Sequence, residues 1–98
     1  MTTATKLSSE QIQEELTALP GWELQEGKIV KLYKFKDFVE AIAFVSRVAD
    51  LAEEEDHHPD ILIRYNKVTL TLVTHSAGGL TEKDFGLARE IDAPANPS

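Results

Sequence analysis

The chain holds three histidines, His57, His58 and His75, and imidazole is the side chain best suited to passing protons near neutral pH. His57 and His58 are adjacent, precede Pro59 and follow an acidic run, Glu53-Glu54-Glu55-Asp56. His75 opens a small-residue segment, Ser76-Ala77-Gly78-Gly79, with Thr81 and Asp84 shortly after. Carboxylates close to an imidazole favour its protonated form, as does the C-terminal end of a helix. An imidazole that holds its proton can act as a general acid. Glycines in the following loop allow the backbone to approach a ligand closely.

Distant segments must meet for this chemistry to work. Residues 61–65 and 68–74 read as two strands. Asn tolerates positive φ, so Asn66-Lys67 is expected as a two-residue hairpin turn. Tyr65 then faces Val68, His58 falls opposite His75, and His57 falls opposite Ser76. Opposed residues lie about 4.5–5.5 Å apart, which gathers the imidazoles at one end of the hairpin.

The acidic run falls at the end of a long helix that Asp37 caps and that reaches about residue 55. Acids there face the negative pole of the helix dipole. A sequence that breaks a local rule often does so at a functional site. Phe38, Ile42, Val45, Ala49 and Ala52 form one stripe of this helix, and Val39, Phe44, Val48 and Leu51 widen it. So wide an apolar surface exceeds what one sheet face needs and is expected to serve partly as a subunit interface.

Earlier, Ser8 and Gln11 have capping-box spacing, with Ser9 an equally good cap, and Ile12, Leu16 and Leu19 mark a first helix that Pro20-Gly21 ends. Residues 22–25 and 29–35 read as strands around Glu26-Gly27. Thr81 caps a last helix to about residue 91, and Asp84 completes a capping box with it. The order is helix, two strands, helix, two strands, helix. It predicts an α+β fold in two layers: a four-stranded antiparallel sheet with helices packed on one face. One domain is expected over residues 1–98, with residues 1–7 and 93–98 flexible.

Composition narrows the function. Hydrophobic residues make up 42% of the 98 residues, a globular value. Ten basic and seventeen acidic residues leave a net charge of −7. That balance argues against nucleic acid and against anionic membranes as partners. The absence of cysteine excludes disulfides, thiolate catalysis and zinc–thiolate sites. No apolar run follows the opening residues and none approaches a membrane span, so the cytoplasm is the expected compartment.

From the residues alone, an acid/base site and a metal site both stand. Adjacent histidines on extended backbone point to opposite faces, which makes His57 and His58 poor joint ligands.

The combined pattern resembles a known family. Glu53, Asp56-His57-His58-Pro59, Tyr65-Asn66-Lys67-Val68, Thr74-His75, Gly79-Leu80-Thr81 and Asp84 are similar to the signature of pterin-4a-carbinolamine dehydratases. Pro20-Gly21-Trp22, Phe35-Lys36-Asp37-Phe38 and Arg47-Val48-Ala49 resemble the family's earlier half. The resemblance implies an enzyme that removes water from 4a-hydroxytetrahydropterin to give the quinonoid dihydropterin, recycling the pterin of aromatic amino acid hydroxylases. It implies no metal, no bound cofactor, and assembly into homodimers or homotetramers. It assigns His57, His58, His75 and Asp84 to the catalytic group. His57 and His75 are implied as the acid/base pair, and His58 as a substrate-positioning residue. Glu53, Asp56, Tyr65 and Lys83 are implied in substrate binding, Tyr65 and Lys83 at its rim, and Glu53, Asp56 and Asp84 as carboxylates that orient and charge the imidazoles. Ile61 stands where an aromatic side chain would stack on a pterin ring. Relatives of the fold also serve as assembly chaperones or as a dimerisation cofactor, so a binding protein is the alternative.

Overall fold

The computed structural model describes residues 5–93. The expected tail beyond Ala93 and the first four residues lie outside that range. The order is α1 (Ser9–Thr17), β1 (Glu23–Gln25), β2 (Lys28–Lys34), α2 (Phe38–Glu55), β3 (Asp60–Arg64), β4 (Lys67–Leu72), a single 3-10 turn (His75–Ala77) and α3 (Glu82–Asp92). The four strands form one antiparallel sheet in the order β1-β2-β4-β3. This is the α+β arrangement expected from the sequence.

Local signals explain the element ends. Ser8 accepts from the Gln11 backbone N–H while the Gln11 side chain accepts from Ser8 N–H, a closed capping box. Asp37 caps α2 through Glu40 N–H. Glu26 and Gly27 both take positive φ (52° and 81°) in the turn between β1 and β2, the twist that a two-residue hairpin favours.

The second hairpin departs from expectation. Arg64 faces Lys67, so the turn is Tyr65-Asn66 rather than Asn66-Lys67. Tyr65, not Asn66, carries the positive φ, 52°. Asn66 is held elsewhere: its side-chain amide donates to Phe35 O, and Phe35 N–H donates to Asn66 O, both at 2.8 Å. It thereby extends the β2–β4 ladder and fixes where the turn must fall. The register moves two residues from the expected one, which preserves which face each side chain takes. The facing of His58 with His75 is lost, and regular pairing stops at Asp60 and Thr71.

One sheet face carries Ile29, Val68, Leu70 and Leu72, all buried, against Ala41, Val48, Phe85, Leu87, Ala88 and Ile91 of the helices. The α2 stripe is rotated from the expected one. Ala41, Val48 and Ala52 are buried, whereas Phe38, Ile42 and Ala49 face outward with Val39. The helix is apolar on more than one side, and only the side facing sheet and α3 is covered within the chain.

At the far end of α3, Asp92 gathers three donors. Trp22 Nε1 and Lys31 Nζ reach Oδ2 at 2.8 and 3.0 Å, and Tyr33 Oη donates to Oδ1 at 2.5 Å. Arg47 of α2 donates to the terminal carbonyls of Glu90, Ile91 and Ala93. Burial first, then the Asp92 hydrogen bond and charge, push the Tyr33 phenol well above its ordinary value. A raised folded-state value contributes stability below the unfolded value, about pH 10, that is lost as pH rises beyond it. In a Tyr65→Phe protein, Tyr33 is the sole tyrosine. Its tyrosinate absorbance is expected to appear only together with alkaline loss of the circular dichroism signal. Titration near pH 10 with the fold intact would contradict this.

Candidate active site

The site is built where α2 ends and α3 begins. Asp56 terminates α2 in the left-handed conformation (φ 53°), and its N–H bonds back to Ala52 and Glu53 carbonyls. Aspartate tolerates this conformation better than most residues. His57 N–H also returns to Ala52 O, at 3.1 Å. The chain thus turns sharply, and the neighbouring imidazoles diverge.

His57 points inward, its side chain 10% exposed, with Nε2 2.6 Å from Oδ1 of the fully buried Asp84. His58 points outward, with Nε2 2.7 Å from Glu53 Oε2 on an exposed pair. Such an exposed contact is worth only about 0–1 kcal/mol, so Glu53 orients His58 more than it stabilises the fold.

Asp84 has two tasks. Its Oδ2 accepts from Thr81 N–H at 2.9 Å, completing the capping box of α3, and from Thr74 Oγ1 at 2.8 Å. Thr74 immediately precedes His75, so the residue that ties Asp84 also delivers His75 to the same neighbourhood. The expected open loop after His75 is a 3-10 turn closed by a Thr74–Gly79 bridge. Gly78 takes φ 75° there. A side chain at Gly79 would collide with the Lys6 stem at 2.8 Å, where the N-terminal segment, bonded through Leu7 N–H to Leu80 O, crosses the loop.

Among the expected site residues, the chain brings His57, Asp84, His58 and Glu53 into two bonded pairs, while His75, exposed, follows the Thr74 that bonds Asp84. Asp56 acts through its backbone. Lys83 lies at the start of α3, where its N–H donates to Thr81 Oγ1 at 3.1 Å. Tyr65 does not join them: it is exposed at the turn, a full strand of roughly 17 Å from the histidine end of β3. Thr74 and Thr81 were not anticipated as site residues. Their signal was present in the two threonines that flank the glycine loop. Among the described residues no three His, Asp or Glu side chains are grouped as a metal would need. Cavities of about 410 and 540 Å³ lie against Pro20, Lys31 and Asp92 and along α1. Neither is lined by a histidine.

A carboxylate-tethered imidazole on a small α+β domain defines a class of protein equipped for general acid/base work. Comparison with known proteins narrows it. The family model described as pterin 4 alpha carbinolamine dehydratase matches residues 5–94, and the chain belongs to that family. A relative from Acidobacterium capsulatum, provisionally named pterin-4-alpha-carbinolamine dehydratase, is 56% identical over 88 residues, covering 90% of this chain and 96% of its own. One from Picosynechococcus with the same provisional name is 53% identical over 89 residues, covering 91% and 97%. The crystal structure of a transcriptional coactivator/pterin dehydratase from Brucella melitensis superposes with a TM-score of 0.89 at 40% identity, covering 94% of this chain and 100% of that one. A pterin dehydratase-like protein identified as a RuBisCO assembly factor in the alpha-carboxysome is more distant. Its TM-score is 0.61 at 27% identity, covering 79% and 89%.

Proposed function

We propose that this protein is a 4a-hydroxytetrahydropterin dehydratase that works by histidine acid/base catalysis. Family membership supports the substrate class. The observation that carries the chemistry is the 2.6 Å contact between His57 and buried Asp84. Hydroxide is a poor leaving group, so the 4a-OH takes a proton as its C–O bond breaks and departs as water. A ring nitrogen of the pterin supplies the electron pair and gives up its own proton. His57 and His75 are the pair for these two transfers; His58, steadied by Glu53, positions the substrate. Lys83 and Asp56 belong to the rim, and Tyr65 could join only from another subunit. The setting is recycling of the pterin used by aromatic amino acid hydroxylases, in the cytoplasm. A homodimer or homotetramer would cover the outward Phe38, Val39 and Ile42.

The assembly-factor relative favours a second reading, a binding protein on the same fold. Stopped-flow dehydration of synthetic 4a-hydroxytetrahydropterin separates the two. Wild type is expected to exceed the spontaneous rate clearly, and His75→Ala to fall roughly 10²-fold or more below wild type. A wild-type rate equal to the spontaneous one would leave the binding reading.

A further inference from the structure

Donors converge on Asp84, and their direction can be deduced. The single hydroxyl hydrogen of Thr74 goes to Asp84 Oδ2. In the 2.8 Å contact between the two threonine hydroxyls, Thr81 therefore donates and Thr74 accepts. Thr81 Oγ1 accepts in turn from Lys83 N–H. The relay runs one way, from Lys83 N–H through Thr81 and Thr74 to the carboxylate, and an ionised carboxylate only accepts. With Asp84 ionised, His57 Nε2 is the donor in the contact with Oδ1. The other ring nitrogen, Nδ1, has no hydrogen-bond partner among the described residues. No side-chain nitrogen or oxygen there is both buried and unpartnered, so Nδ1 opens to the surface.

We propose that Nδ1 of His57 is the atom that exchanges a proton with the substrate, and that Thr74 is the positioning residue that keeps it so through Asp84. The proposal takes its substrate from the dehydratase reading, but its ring tautomer is independent of that reading. In the cation, Nδ1–H gives its proton to the departing hydroxyl, which leaves as water. The ring returns to the neutral Nε2–H form with a lone pair on Nδ1. Solvent returns a proton to Nδ1, and the proton that the base took from the pterin ring nitrogen is released to solvent, so each turnover balances. The Nε2–H bond to Asp84 is kept throughout, so the ring does not have to flip between turnovers.

The test is long-range proton–nitrogen NMR of histidine-labelled protein at a pH where His57 is neutral, for wild type, Thr74→Val and Thr74→Ser. Valine keeps the β-branched shape and deletes the hydroxyl, while serine restores it. Wild type is expected to show a protonated Nε2 and a bare Nδ1, with the Nε2 hydrogen slow to exchange with water. Thr74→Val is expected to speed that exchange and lower kcat roughly tenfold with KM little changed, the loss of one hydrogen bond. Thr74→Ser is expected to recover both. A wild-type His57 protonated on Nδ1 overturns the proposal by itself, whether or not the valine variant folds. Unchanged exchange and kcat in folded Thr74→Val overturn the role of Thr74. Wild-type protein with the expected tautomer but no dehydration activity overturns the dehydratase reading and supports the tautomer.

Discussion

Dehydration by a His57→Gln protein is expected to be roughly 10²- to 10⁴-fold slower than by wild type once the spontaneous rate is subtracted, the range one positioned proton-transfer group contributes. Glutamine is the informative replacement. Its amide can still donate to Asp84 Oδ1, so the buried carboxylate keeps a partner and the fold is expected to persist. What is lost is a group that can take and give a proton. Stopped-flow absorbance beside circular dichroism makes the check, and an unchanged catalysed rate in a folded protein would remove His57 from the chemistry.

The second large effect separates stability from activity at Asp84. Asp84→Ala strands Thr81 N–H, the Thr74 hydroxyl and His57 Nε2 in a largely buried site. Each buried donor left without its acceptor costs about 1–3 kcal/mol, and the set is a large share of the roughly 5–15 kcal/mol that holds a small domain together. Asp84→Asn differs. Its carbonyl can serve Thr81 and Thr74, which turns the NH₂ toward His57 and demands a bare Nε2 there. The ring is driven to the opposite tautomer. In serine-protease triads the equivalent exchange behind the catalytic histidine costs about 10⁴-fold in kcat. Asp84→Asn is therefore expected to retain most of its resistance to urea while losing at least roughly 10²-fold in turnover. Equal urea midpoints for alanine and wild type would refute the stability half. Near-wild-type turnover in the asparagine protein would refute the other.

Some of this was legible in the chain and some was not, for physical reasons. Capping depends on residues three apart, so Thr81 with Asp84 could be read directly, and the start of α1 down to a choice between Ser8 and Ser9 that the structure decides for Ser8. The order of elements followed from hydrophobic periodicity and turn residues. The hairpin register did not, because the deciding bonds join Asn66 to Phe35, thirty-one residues away. No local rule favours a tyrosine at φ 52°. The α2 stripe was misplaced for a related reason. That helix is apolar on several sides, and periodicity cannot choose which side meets the sheet. At the site, histidines and carboxylates could be named but not paired. His57 reaches Asp84 rather than His75 because Asp56 reverses the chain. The Asp92 cluster was missed altogether, since Trp22, Lys31, Tyr33 and Asp92 converge only in three dimensions.

The last helix is moored at both ends to the long one. Its first turn is tied through Asp84 to His57, just past the residue that caps α2, and its final carbonyls are clasped by Arg47 from the middle of α2. Two anchors so far apart oppose sliding and tilting alike, as the ends of a strut would. Any yielding as a guest molecule arrives is expected in the short 75–79 segment and the His58 arm, with the His57 imidazole held in place by Asp84.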